Sequence, residues 1–243
     1  LSVHLVELRR RLLWSFAAML AGMIVCFMFS KHIYGFLVRP LAVAMGESEN
    51  SRLIYTGLTE AFVTYIKVSF FAGVFLTFPV LIAQVWKFVA PGLYKRERQV
   101  FLPFLIATPL LFFVGGAFAY SVVMPAAWPF FLSFQSTAQD TVLPIQLEAR
   151  VGEYLDLVMM LIFAFGLCFE LPVLLMLLAR AGFVTAQGLA EKRRYAIVAI
   201  FVVAAVLTPP DVLSQFLLAI PLMVLYEISI ILVRYNAGRA AAG

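Results

Sequence analysis

Residues 88–98 read F-V-A-P-G-L-Y-K-R-E-R, a short charged turn between two long apolar runs. Three cations, Lys95, Arg96 and Arg98, share this turn with one carboxylate, Glu97. Basic residues beside apolar runs mark the side of a membrane on which a connection stays. A carboxylate among cations is a candidate for recognising a positively charged ligand, although a solvated turn charge is the better explanation when it is taken alone.

The rest of the chain makes the membrane setting unavoidable. Of 243 residues, 64% are hydrophobic and 13% charged, and 24 are Phe. Mean hydropathy is +1.01. Soluble domains are about half apolar and a quarter charged, so a soluble fold has nowhere to put this apolar surface. The runs are long and do not alternate, which favours helices over a β-barrel. The net charge of +5 does not indicate nucleic acid, because the cations sit beside apolar runs and form no continuous stripe. Cys26 and Cys168 lie inside apolar runs and read as small buried residues, not as a disulfide. His4 and His32 are too few and too far apart to suggest a metal, and no cofactor is indicated.

Arg9, Arg10 and Arg11 precede an apolar run from Leu12 to Phe29, which resembles a secretory signal. The run is long for a signal core, and Phe29-Ser30-Lys31-His32 offers no small-residue cleavage site. It reads as the first membrane helix. The chain begins with Leu1 rather than Met, so a few residues are expected to have been trimmed.

Six spans are predicted, over about 12–29, 68–88, 100–124, 154–178, 195–207 and 212–233. Their connections alternate in basic content. One side holds Arg9, Arg10, Arg11, Lys87, Lys95, Arg96, Arg98, Arg180, Lys192, Arg193, Arg194, Arg234 and Arg239; the other holds Lys31, Arg39, Arg52, Lys67 and Arg150. The positive-inside rule then puts both termini and the turn at 88–98 in the cytoplasm. The predicted fold class is an all-α integral membrane protein with six transmembrane helices in one domain over residues 1–243. Its two longer outer segments, 31–67 and 125–153, form a helical cap. Ile33, Phe36, Leu37 and Leu41 have helical spacing there, as do Leu58, Phe62, Tyr65 and Ile66, so short surface helices are expected. Loose loops are the alternative.

The last two spans are unusual. Tyr195 to Leu207 is short: 13 residues of helix reach roughly 20 Å, against a hydrocarbon core of roughly 30 Å. A rigid turn, Leu207-Thr208-Pro209-Pro210-Asp211, follows. The sixth span contains Pro221 and carries Gln215 and Glu227. Such a hairpin thins the bilayer, rests against a partner helix, or is extended by snorkelling Lys192, Arg193 and Arg194. The Ala-rich tail, Ala237–Gly243, is expected to be disordered.

Enzyme chemistry finds little support. The sequence has no G-x-x-x-x-G-K-[S/T] phosphate loop, no His-Glu-x-x-His, no Cys-x-x-Cys and no Gly-x-Ser-x-Gly. The carboxylates carry more information. Glu7 lies in H-L-V-E-L-R-R-R, where Arg10 and Arg11 can pair with it along a helix. Glu7 and Glu97 both sit at cytoplasmic ends of spans, and two separated carboxylates match two guanidinium forks in a way Lys cannot imitate. Glu170 lies well inside the fourth span, where a charge costs about 2.5–3.5 kcal/mol on insertion scales. Pro172, two residues on, deprives the Cys168 carbonyl of its helical partner, so a kink is expected there. Asp211, Gln215 and Glu227 form a second polar set, with Asp211 placed to cap the sixth helix.

Several ordered pieces run through the chain: H-L-V-E-L-R-R-R-L at 4–12, Q-V-W-K-F-V-A-P-G-L-Y-K-R-E-R at 84–98, F-E-L-P at 169–172, L-T-P-P-D-V-L-S-Q at 207–215 and A-I-P-L-M-V-L-Y-E at 219–227. On these pieces the chain resembles the TatC family, the multispanning core of the twin-arginine protein translocase. The resemblance implies a non-enzymatic receptor in the bacterial cytoplasmic membrane, with both termini cytoplasmic. It implies binding of Arg-Arg signal peptides through Glu7 and Glu97, with Arg9, Phe88 and Tyr94 nearby. Single-span partners of the TatA and TatB type are implied at Glu170, Thr208 and Gln215, and an outer cap at Pro40, Glu60 and Phe62. It further implies an oligomeric complex that exports folded proteins on the proton-motive force. The competing expectation is a secondary transporter with Glu170 and Glu227 as proton sites, although no internal repeat is visible.

Overall fold

The computed structural model describes residues 2–46, 52–89, 98–136, 143, 147–208 and 211–241, and the side chains of all of these except 2–5, 88–89, 98–102 and 239–241. Helices dominate. They are α1 Ser2–Met28, α2 Ser30–Met45, α3 Glu60–Val89, α4 Arg98–Phe118, α5 Met124–Leu132, α6 Val151–Cys168, α7 Leu171–Arg180, α8 Ala186–Glu191, α9 Arg193–Leu207 and α10 Val212–Ala241, with a π-helical turn, Ala119–Val123, between α4 and α5. Among the described residues, five segments are long and apolar enough to cross a membrane: Val6–Met28, Glu60–Lys87, Pro103–Leu132, Val151–Arg180 and Val212–Gly238. The 15 residues of α9 reach only about 22 Å and fall short of that length.

Two compact units are present. The first comprises Leu1–Pro109 and Met124–Met159, and the second Leu110–Val123 and Met160–Gly243.

In the first unit, α1 joins the basic N-terminal segment and the first apolar run into one helix of 27 residues, about 40 Å long. It packs along α3 at two glycines. A methyl group on Gly73 would fall 2.5 Å from the Met23 nitrogen, and one on Gly22 would fall 2.7 Å from Thr77 Cγ2. Only glycine admits a backbone approach this close, the usual way membrane helices gain contact where lipid removes the hydrophobic drive. Away from this seam α1 exposes Leu12, Leu13, Trp14, Phe16, Leu20 and Ile24, a face suited to lipid.

The chain breaks helix at Phe29 and turns into α2, which packs on α3 and α5. Leu37 and Leu41, expected on one helical face, are both buried. The second expected outer helix is not separate. Leu58 lies fully exposed in the preceding turn, while Phe62, Tyr65 and Ile66 belong to α3, which starts at Glu60 and not near 68. No breaker intervenes between Glu60 and Val68, so the helix continues outward. Trp128 of α5 is buried against the Tyr154 ring, 5.6 Å between centroids. The Tyr154 hydroxyl donates to the Leu37 carbonyl at 3.0 Å, fastening α6 to α2.

The π-helical turn precedes Pro125, which has no N–H for the carbonyl of Ser121. A local π-turn is a common way for a helix to absorb such a defect and continue.

In the second unit, Gly115 and Gly166 make another tight seam: a methyl group on Gly115 would lie 2.5 Å from the Phe165 carbonyl oxygen, and one on Gly166 would lie 2.7 Å from the Phe112 ring. Phe112 and Phe165 are fully buried there. The kink expected before Pro172 is present, since α6 stops at Cys168 and α7 starts at Leu171. Gly182, at φ +79°, ends α7. Gly182 N–H donates to Ala179 at 3.1 Å and Phe183 N–H to Leu178 at 2.9 Å, a Schellman closure that a glycine makes without strain. The last helix, α10, runs to Ala241, so the tail expected to be disordered is helical to that residue.

Candidate functional site

Glu7 and Arg9 both lie on the first turns of α1. Arg11 donates to Glu7 Oε1 from Nε at 3.2 Å and also from Nη2, the i,i+4 pair anticipated from spacing. Both contacts use Oε1, leaving Oε2 outside the pair. Such a pair adds only a few tenths of a kcal/mol to helix stability. Arg9 is exposed. Phe88 lies in the last turn of α3, and its side chain is outside the described residues, as are Tyr94 and Glu97 altogether.

Around Glu60, residues of the first unit form a compact hydrogen-bonded knot. Glu60, the first residue of α3, accepts from Thr56 N–H at 2.8 Å and Gly57 N–H at 3.2 Å through Oε2. Its Oε1 accepts from Gly152 N–H at 3.4 Å. Arg150 donates to Thr56 Oγ1 at 2.7 Å and to Glu153 at 2.8 Å. The hydrogen bond and charge of Glu153 hold the Arg150 guanidinium still more firmly protonated. Backbone bonds complete the link, from Ile54 N–H to Ala149 at 3.0 Å and from Val151 N–H to Ile54 at 2.9 Å. Further along α3 and α6, Lys67 pairs with Asp156 at 2.7 Å. Pro40 lies within α2, and Phe62 stands exposed on α3.

In the second unit, Glu170 occupies the break between α6 and α7. Both of its carboxylate oxygens are shut off from solvent. Phe169 beside it is buried and packs 5.6 Å from the Phe118 ring. A carboxylate in apolar surroundings is costly as the anion, which is why such a group is a default functional candidate.

Thr208 closes α9, and Gln215 lies in the first turn of α10. Thr208 is buried, and its hydroxyl donates to Ala204 at 2.8 Å. Asp211 Oδ1 accepts from Ser214 N–H at 2.7 Å and so caps α10, as its position predicted. Gln215 Nε2 donates to the Phe201 carbonyl at 3.2 Å, which uses one of its amide hydrogens within the chain. The structure splits the polar set of Asp211, Gln215 and Glu227. Glu227 lies at the other end of the hairpin, gripped by Arg193 through Nε–Oε1 at 2.6 Å and Nη2–Oε2 at 2.8 Å. The antiparallel course of α9 and α10 is the reason: residues far from the turn on one helix meet residues equally far from it on the other. Next to Glu227, the buried Tyr226 hydroxyl donates to Leu189 of α8 at 2.8 Å.

Two of these pairings escaped sequence reasoning. Arg193 and Glu227 are equidistant from Pro210, 17 residues on either side, and that symmetry about the Pro-Pro turn could have paired them. No sequence signal joins Glu60 to Gly152, 92 positions away. Among the described residues no cluster of His, Cys, Asp or Glu is arranged to hold a metal ion.

A family model for TatC, the Sec-independent protein translocase protein, matches residues 3–221. Relatives with that name include one from Magnetococcus marinus, 53% identical over 93% of this chain and 81% of its own length. Another, from Escherichia coli, is 41% identical over 98% of this chain and 90% of its own. A crystal structure of the twin-arginine translocase receptor TatC superposes with a TM-score of 0.79 at 39% identity, covering 96% of this chain and 99% of that one. These relatives are named as translocase components and not as enzymes.

Proposed function

The chain belongs to the TatC family of Sec-independent protein translocase proteins, and from that membership we propose that it is the receptor and core subunit of a twin-arginine translocase in a bacterial cytoplasmic membrane. The observation that carries this reading is the full-length likeness to a solved twin-arginine receptor. The chain crosses the bilayer six times as one transmembrane domain, α9 being the short fifth span, with both termini cytoplasmic. The excess of Lys and Arg on the connections of that side supports this orientation.

At the cytoplasmic face Glu7 and Glu97 take the two guanidinium groups of an Arg-Arg signal peptide, and Arg9, Phe88 and Tyr94 border the site. Glu7 Oε2, outside the pair with Arg11, is the atom offered to the ligand. Glu170, Thr208 and Gln215 receive single-span partners of the TatA and TatB type. Pro40, Glu60 and Phe62 belong to the outer cap. Assembly is oligomeric, and export of folded precursors is driven by the proton-motive force.

Site-specific cross-linking to a twin-Arg precursor in membranes tests the receptor reading. Glu97→Ala should lose cross-linking yield and the preference for Arg-Arg over Lys-Lys. Full yield with preference retained would refute the assignment of Glu97. The carrier alternative needs Glu227 as a proton site, and both oxygens of that carboxylate are engaged by Arg193.

A further inference from the structure

Helix α9 starts with an electrostatic conflict. Lys192, Arg193 and Arg194 are consecutive cations at its N-terminus, where the helix dipole is already positive and favours anions. No side chain caps that end. The compensating anion comes from the neighbouring helix: Glu227, in mid α10, meets Arg193 with both carboxylate oxygens at 2.6 and 2.8 Å. Arg194 turns aside, its guanidinium 4.8 Å over the Tyr195 ring. One residue before Glu227, the Tyr226 hydroxyl reaches Leu189 of α8. The basic corner is therefore tied to α10 at two successive residues.

Further along, at Phe201, α9 is tied to α10 by neutral contacts. These are the bond from Gln215 to the Phe201 carbonyl and the edge-to-face contact of the Phe201 and Phe216 rings, 5.2 Å between centroids. Between the two ends, Val198, Val202 and Val206 stand exposed in a row one helical turn apart. The buried side of α9 carries Ile200 and Ala204, apolar side chains whose packing holds the helix without a directional contact. The charged, two-point contact between α9 and α10 is the fork.

We propose that Arg193 and Glu227 are positioning residues that set the register of α9 along α10, and with it the depth at which Thr208 is presented relative to Gln215. The inference rests on the reading that this hairpin receives a partner helix. The planar guanidinium matters here, because a two-point contact fixes both distance and orientation, whereas an ammonium fixes neither. Without the fork, α9 can slip by one turn, about 5.4 Å, to the next packing position.

The test uses the full chain with its partners in native membranes, with Cys26 and Cys168 replaced by Ser. A Phe201→Cys, Phe216→Cys pair joined by a short bis-thiol reagent reports the register seen here. An Ile197→Cys, Phe216→Cys pair reports a slip of one turn. Arg193→Lys, which keeps the charge, and Glu227→Gln should each move the cross-link from the first pair toward the second and lower transport by about tenfold or more. The exchanged variant Arg193→Glu with Glu227→Arg should restore both. An unmoved cross-link in Arg193→Lys and Glu227→Gln overturns the proposal, as does an exchanged variant that folds without regaining the register. The cross-link is internal to the chain, so it is independent of the partner. If the register shifts while cross-linking from Thr208 to the single-span partner is unaffected, the partner-site reading has failed and the register role stands.

Discussion

The carboxylate of Glu60 and the backbone N–H of Gly152 meet at 3.4 Å, although 92 positions separate them. Glu60 begins α3 and Gly152 is the second residue of α6, so one side chain serves the N-terminal ends of two long helices. Its other oxygen takes the N–H groups of Thr56 and Gly57. Those N–H groups have no partner within a helix, and an anion there also complements the helix dipole.

Replacing Glu60 with Gln removes the charge and can turn an amide hydrogen toward donors. Amide exchange at Thr56, Gly57 and Gly152 should then accelerate by on the order of tenfold, while α1 is unaffected. Hydrogen exchange in detergent or nanodiscs reads this directly. Unchanged protection at all three would mean that the backbone link from Ile54 to Ala149 and Val151 suffices without Glu60.

Gly73→Ala should destabilise the α1–α3 pair, because the added methyl meets backbone and not a flexible side-chain end. Overpacking of this kind costs about 1–3 kcal/mol. Gly35→Ala, where open space surrounds the position, serves as the control. Denaturation in mixed micelles should separate the two variants, and equal stability would show that the seam relaxes freely.

Loss of either Glu7 or Glu97 should weaken binding of a twin-Arg peptide by about tenfold or more, since hydrogen bonds to charged groups contribute roughly 1.5–3 kcal/mol each. Arg11→Gln should do the opposite or nothing, because it releases Glu7 Oε1 from the internal pair. Peptide titration with Arg-Arg and Lys-Lys versions distinguishes the outcomes, and equal loss for both peptides would remove the specificity role.

Glu170→Ala should leave peptide binding intact and abolish transport. The carboxylate sits in the second unit, whereas Glu7 lies in the first. Its oxygens are buried at the helix break, at the position proposed to receive a single-span partner. Normal export by the variant would exclude Glu170 from assembly.

Composition and local pattern were enough for the membrane class, the helical character, the kink before Pro172 and the cap made by Asp211, and the quoted motifs were enough for the family. Each follows from forces that act within a few residues: an apolar run must shed water, proline has no N–H to give, and a short acid reaches the next turn. Helix ends were less legible. The apolar run of α3 starts near Val68, yet the helix starts at Glu60, because nothing between them breaks helix and the Glu60 carboxylate satisfies N–H groups drawn from two places in the chain. Tertiary structure alone decided the pairings: Glu60 with Gly152, Tyr154 with Leu37, Arg193 with Glu227 and Tyr226 with Leu189. These partners are 34 to 117 residues apart, and a side chain's reach is only a few ångströms, so they meet only once the helices lie side by side. The glycine seam Gly22–Gly73 between α1 and α3 was illegible for the same reason, since the need for close backbone approach becomes visible only when the neighbouring helix is in place.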